Sequence, residues 1–218
     1  MMKSMVTLAQ ELGFSNAAVV DTGEIPFEPA FRVCCEDNAC GKYGVNYSCP
    51  PACGTTEEMA DKIRAYPKAL FLQTMWDIDS QDGPAVKRCK GEHNRMTRTL
   101  IAELQAETQG FMIGASGCSL CETCALVEGV PCRFPEQMAS CMSAYCIYVR
   151  QLAERCDMEY DSGPGIVNFF GMYVFKKQAG LVNRQILLMF VKDFFLEVAQ
   201  KKGCTKLTHQ IAGFEKMM

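Results

Sequence analysis

A chain of 218 residues that is 49% apolar and 22% charged has the composition of an ordinary globular protein, which argues against wholesale disorder and leaves room for one compact domain with an appendage. A net charge of −3 argues against a nucleic-acid binder that works by neutralising phosphates. The departure from ordinary composition is 14 cysteines, for which disulfides or metal could account, with compartment deciding between the two.

The N-terminus reads MMKSMVTLAQELGF, where Gln10 and Glu11 interrupt the apolar stretch, so the long apolar core and small-residue cleavage site of a signal peptide are missing. The longest apolar run, Ile186 to Val191, falls far short of the ~20 residues of a membrane span. A cytoplasmic location with reduced thiols is therefore expected, and clustered reduced cysteines read as metal ligands.

Met5 to Leu12 has helical character, with Gly13 as its stop. Ala17 to Val20 reads as a strand. The segment from Gly23 to Gly54 is rich in Pro, Gly and Cys and reads as a loop too punctuated for regular structure. Thr55 is an N-cap for a helix that runs to about Tyr66 and stops at Pro67. Ala69 to Trp76 reads as a buried strand, Ala85 to Thr108 as a long helix with Met96, Leu100 and Leu104 on one face, and Phe111 to Ile113 as a short strand after Gly110. A second Cys-rich loop spans Gly117 to Pro135. Ala139 to Arg155 reads as a helix and Asn168 to Phe175 as the last strand. A final helix is expected at 181–202, apolar on more than one side.

Alternating strands and helices predict an α/β or α+β fold: a small mixed sheet of about four strands flanked by helices, with two Cys-rich loops that bind clusters. The expected division is a metal-binding domain at 1–178 and a C-terminal helical extension at 179–218. The excess of apolar residues on that extension (Ile186, Leu187, Met189, Phe190, Phe194, Phe195) suits a homodimer interface, the alternative being a helix that covers the sheet.

The second loop reads GCSLCETCALVEGVPCRFP, with Cys118, Cys121 and Cys124 at C-x2-C-x2-C spacing and Cys132 farther on. Two-residue gaps let the chain wrap a compact centre with its thiolates inward, as bacterial ferredoxins do around a cubane cluster. Structural zinc sites with four cysteines usually come as two CxxC pairs with a longer spacer, so a [4Fe–4S] cluster fits this run better and zinc is the alternative. The first loop reads VCCEDNACGKYGVNYSCPPACG and offers five cysteines for at most four positions: Cys34, Cys35, Cys40, Cys49 and Cys53. Its spacing matches no standard ferredoxin pattern. A second cluster through Cys35, Cys40, Cys49 and Cys53 is the expectation, with Cys34 or a distant group as rivals for the fourth position.

The combination C-x4-CGKYG-x4-CPP, then EHNR on the long helix, then C-x2-C-x2-C-x7-CRFPE resembles the family catalogued as domain of unknown function 2284, over about residues 15–175. The resemblance implies metal binding and an anaerobe-leaning host, and it names no reaction. Its pattern falls on Cys35, Cys40 and Cys49 and on Cys118, Cys121, Cys124 and Cys132, with Arg133 beside the last. It implies Ser and Gly where this chain carries Cys141 and Cys146.

His93, within EHNR, reads as a solvated surface histidine, its alternative being a proton donor facing a cluster. Arg133 reads as a partner of Glu136 or as a positive group near a cluster. Tyr43 and Tyr47 are expected to pack around the first site. Cys89, Cys156 and Cys204 read as packed thiols. No nucleophile elbow, phosphate loop or dinucleotide fingerprint is present. Three function classes follow: electron transfer to a redox partner protein through two [4Fe–4S] clusters, a redox enzyme or reductive activator with an open-site cluster, and a zinc or heavy-metal binding protein.

Overall fold

The computed structural model describes residues 4–178. The expected helix at 181–202, the extension 179–218 and the homodimer through it lie outside the described residues.

Ser4 starts helix α1 (Met5–Glu11) by accepting from the Thr7 N–H, and the chain turns at Gly13, φ +97°, into strand β1 (Asn16–Asp21). Within the first Cys-rich stretch a short helix α2 (Arg32–Glu36) forms, where the sequence reads as irregular. Its carriers of structure are local: Pro29 starts a 3-10 turn that leads straight into it. Thr55 opens α3 (Thr56–Arg64) with a complete capping box, its hydroxyl accepting from Glu58 N–H while the Glu58 carboxylate accepts from Thr55 N–H at 2.8 Å.

Strand β2 (Lys68–Asp77) is followed by α4 (Gly83–Leu104), capped by Asp82 with Pro84 in its first turn. Strand β3 (Thr108–Gly114) leads into the second Cys-rich loop, which returns as β4 (Ser140–Cys141). A 3-10 turn (Met142–Tyr145), helix α5 (Val149–Arg155) and strand β5 (Ile166–Lys177) complete the order.

The sheet is mixed and has five strands in the order β1-β2-β5-β3-β4. β1 and β5 flank β2 antiparallel, and β4 lies parallel to β3 with Ile113 opposite Ser140 and Gly114 opposite Cys141. The fifth strand is β4, two residues long and too short for any periodic signal. The helix expected from Ala139 to Arg155 forms only from Val149. Cys146 sits at φ +52°, a left-handed conformation that ends the preceding turn and in which a non-glycine residue is strained. That backbone is also a physical reason for glycine at this position.

Side chains of β2 and β5 alternate between two cores. Phe71, Phe170, Met172 and Val174 pack with Met59 and Ile63 of α3 and Leu152 of α5 on one face. Leu70, Leu72, Tyr173 and Phe175 pack with Ala9 of α1 and Met96, Leu100 and Leu104 of α4 on the other. His93 of α4 is 0% exposed, not solvated. Its Nδ1 is 2.9 Å from Thr74 Oγ1, which accepts from the Trp76 indole, and its ring reaches so close to Gly171 that a Cβ there would lie 2.6 Å from Nε2. The apolar surface around α4 leaves no route to water, and glycine at 171 makes room for the ring.

Candidate metal centres

The second loop leaves the end of β3 and comes back as β4. Between them Cys118, Cys121, Cys124 and Cys132 all line one small cavity, together with Asn46, Tyr47, Ala125 and Met138. The loop is held from outside by the first block. Cys118 N–H donates to Ser48 Oγ at 2.8 Å, Asn46 Nδ2 donates to the Cys118 carbonyl at 2.9 Å, and Tyr47 OH donates to the Val130 carbonyl at 3.0 Å. Tyr47 therefore serves the second loop rather than packing around the first. Its backbone N–H points at the Cys124 sulfur, 3.5 Å away.

Arg133 ion-pairs with Glu128, not Glu136, and donates to the Thr123 carbonyl at 3.2 Å. The Glu128 carboxylate raises its already high pKa further. Among the described residues no three Cys, His, Asp or Glu side chains converge on one point that a single ion could occupy.

The first block is assembled from α2, the turns that follow it and a segment far along the chain. Cys34 and Cys40 are exposed, Cys35 and Cys53 half-buried and Cys49 buried. Burial, then the thiol of Cys141, pushes Cys35 up to about 11. Cys49 is pushed up to about 11 as well, by burial above all; the Ser48 hydroxyl opposes the rise and the Cys141 thiol adds to it. Cys141 is raised by burial and feels Cys40, while backbone N–H groups of Ala144 and Ser143 pull it back by bonding its sulfur. Cys146, 1% exposed, is likewise raised by burial. The chain thus brings Cys141 and Cys146 to the first block.

Arg32 ties the pieces together. Its guanidinium donates to the Ala144 carbonyl at 3.2 Å, the Gly54 carbonyl at 3.4 Å and the Cys53 sulfur at 3.9 Å. The two blocks also touch. A Cβ built on Gly117 would lie 2.9 Å from Cys49 Sγ and 3.3 Å from Ser48 Oγ. The stretch Asn46 to Cys49 therefore separates the second-loop cavity from the first group of thiols while contacting both. Sequence reasoning missed Arg32 and the placement of Cys141, and it read Asn46 and Ser48 as polar residues that open the first loop to a small molecule, whereas they anchor Cys118 of the second. The available signal was the pair Cys141 and Cys146 itself, two extra cysteines in one short segment.

The model of the family described as "predicted metal-binding protein (DUF2284)" matches residues 18–175, and the chain belongs to that family. No curated protein and no solved structure matches it. Among the described residues no helix is long and apolar enough to cross a membrane.

Proposed function

We propose that this member of the predicted metal-binding family is an iron–sulfur protein that holds two [4Fe–4S] clusters and passes single electrons to a redox partner protein in the cytoplasm. Cys118, Cys121, Cys124 and Cys132 would hold one cluster. Cys35, Cys40 and Cys49 would hold the other with a fourth thiolate, for which the sequence names Cys53. The observation that carries the reading is the common lining of one cavity by four thiols from one loop. The spacing of these cysteines, three at two-residue gaps and a fourth farther on, is the ferredoxin type of pattern and differs from the two CxxC pairs usual at structural zinc.

When bound, such clusters supply reversible one-electron chemistry. The chain's own residues supply the rest. Tyr47 N–H donates to the sulfur of Cys124, the kind of bond that tunes a cluster's potential, and Arg133 places a positive charge beside the loop. Ser48 and Asn46 fix the backbone at Cys118. Cys49 places the first group of thiols directly against the second loop. Leu120, Val127, Val130 and Phe134 stand exposed on the second loop, apolar surface that suits contact with a redox partner.

Protein purified without oxygen should be brown and contain iron and acid-labile sulfide for two clusters per chain. Colourless protein with stoichiometric zinc would overturn this reading in favour of a zinc protein. One observation favours a redox enzyme as a second reading. A cleft of about 400 Å³ opens beside Met142 and Ser143, next to Cys141, and is lined further by Lys90, Asn168 and Phe170. An EPR spectrum that shifts on adding cyanide would support an open iron near that cleft, and an unresponsive spectrum would leave electron transfer as the function.

A further inference from the structure

We infer that Asn94 and Arg98 are positioning residues for the second metal site, a two-point clamp on α4 that holds both ends of the loop carrying Cys118, Cys121, Cys124 and Cys132. The inference rests on the proposed function in that it concerns the same site.

The first argument comes from the pattern EHNR, whose residues have separate tasks. Glu92 and Arg95 pair with one another at the surface. His93 is buried against Thr74. Asn94 turns instead to the start of the second loop. Its Oδ1 accepts from the Ala115 N–H at 2.9 Å, and its Nδ2 donates to Ser116 Oγ at 2.9 Å. A backbone N–H can bond only an acceptor, so the orientation of the amide is fixed. One side chain thereby grips two consecutive residues, the second of them two positions before Cys118. Gly114 permits this approach: a Cβ there would lie 2.9 Å from Asn94 Oδ1 and 3.1 Å from the Ser116 carbonyl oxygen.

The second argument is the other end of the loop. Arg98 stands one turn along α4, at i+4 from Asn94 and on the same face. Its guanidinium donates to the Gln137 carbonyl at 3.0 Å, in the 3-10 turn Pro135–Gln137 that follows Cys132 and leads to β4. The pairing of β3 with β4 stops at Gly114 and Ser140, and the two bonds from α4 take hold just beyond it on either side. Met96, Leu100 and Leu104 bury the helix in the core, so its two side chains have a firm base.

The third argument is what a clamp does for metal. A loop whose ends are held has less freedom to lose when its thiolates converge on a metal. Ser48 and Asn46 then fix Cys118 itself. Neither Asn94 nor Arg98 lines the cavity of the four thiols, so both act through the backbone and not as ligands.

The test is to load the full chain without oxygen, add an excess of an iron chelator, and follow the second-site EPR signal, identified as the one that Cys118→Ala lacks. Asn94→Ala and Arg98→Ala should each lose that signal about tenfold faster than wild type, the scale on which outer partners act on metal retention, with the first-site signal decaying as in wild type. Asn94→Asp and Arg98→Lys should restore slow loss. The carboxylate can accept from both the Ala115 N–H and the Ser116 hydroxyl, and an ammonium can serve the one Gln137 carbonyl. Arg95→Ala, on the same helix but bonded to Glu92, should stay at the wild-type rate. Wild-type rates in Asn94→Ala and Arg98→Ala overturn the inference, as does an equal acceleration in Arg95→Ala, which would make the helix at large responsible. Should Asn94→Ala not fold, Arg98→Ala and its Lys rescue decide alone, and a wild-type rate there overturns the clamp. Wild-type protein that carries zinc and no iron sinks the cluster reading alone. Zinc release to a chromogenic chelator then compares the same variants, with the same ranking expected and a flat ranking overturning the clamp.

Discussion

The sulfur of Cys49 rests against the backbone of Gly117, 2.9 Å from where a side chain at 117 would begin. Cys49 is 5% exposed, so its sulfur has no solvent side into which to retreat. Gly117→Ala should therefore shift the thiol that both blocks share, at a cost of about 1–3 kcal/mol typical of overpacking. The expected outcome is a lower urea midpoint and a changed or lost first-site EPR signal, with the second-site signal kept. An alanine protein with wild-type midpoint and spectrum would show that the loop yields and that the contact is incidental.

Cys118→Ala tests the second loop. The backbone at 118 is anchored independently of the sulfur, through Ser48 at its N–H and Asn46 at its carbonyl. Loss of metal in this variant would therefore report the missing thiolate and not a displaced loop. We expect about half of the iron and sulfide to go, and the domain to lose stability with them because ligation and folding are coupled. Unchanged iron, sulfide and visible spectrum would remove Cys118 from the site.

The long elements were legible in the sequence because their apolar spacing repeats. α4 and β2 fall within a few residues of expectation, and Thr55 marks the start of α3 one residue outside it. The second block was legible as a group because its four cysteines come from one loop. The surroundings of the first were not, since the segment of Cys141 and Cys146 returns through β4, a two-residue strand that only tertiary pairing with β3 creates. That pairing sets Cys141 opposite Gly114, and no spacing rule connects the segment of Cys141 and Cys146 with the first block. His93 misled for a related reason. A polar residue among Glu92, Asn94 and Arg95 reads as exposed, but it lies on the α4 face turned toward β2 and β5, where Thr74 and Gly171 receive it.

His93 makes stability depend on pH. Burial lowers its pKa from 6.5 to about 4, so the folded protein holds it neutral. The unfolded chain takes up the proton first as pH falls. Its contribution to stability is therefore complete above about pH 6.5 and is lost between there and pH 4, by about 3 kcal/mol in all. Urea midpoints measured at steps from pH 7 to pH 4 should fall in wild type. In His93→Leu the fall in that window should be smaller by this amount, from a lower starting point because Thr74 loses its partner. Parallel curves for the two proteins would mean that the imidazole does not titrate in this range.

Arg32 offers the sharpest separation of the two centres. Its one guanidinium spans the Gly54 carbonyl, the Ala144 carbonyl and the Cys53 sulfur, and so clamps α2 to the 3-10 turn that follows Cys141. Its charge also opposes the upward shift of Cys35 and Cys146. Arg32→Met keeps much of the apolar stem but removes all three bonds, and bonds from a charged donor are worth about 1.5–3 kcal/mol each at most. Arg32→Lys keeps the charge without the planar fork, so it can satisfy one acceptor well but not three. The expected order of first-site iron retention is wild type, then Lys, then Met, while the second site stays loaded throughout because no bond from Arg32 reaches it. In metal-free protein, Arg32→Met should also slow alkylation of Cys35 at mildly alkaline pH, as its thiol rises further. Loss of both sites together in Arg32→Met would refute the separation, and full loading of both would show that α2 stays in place without the clamp.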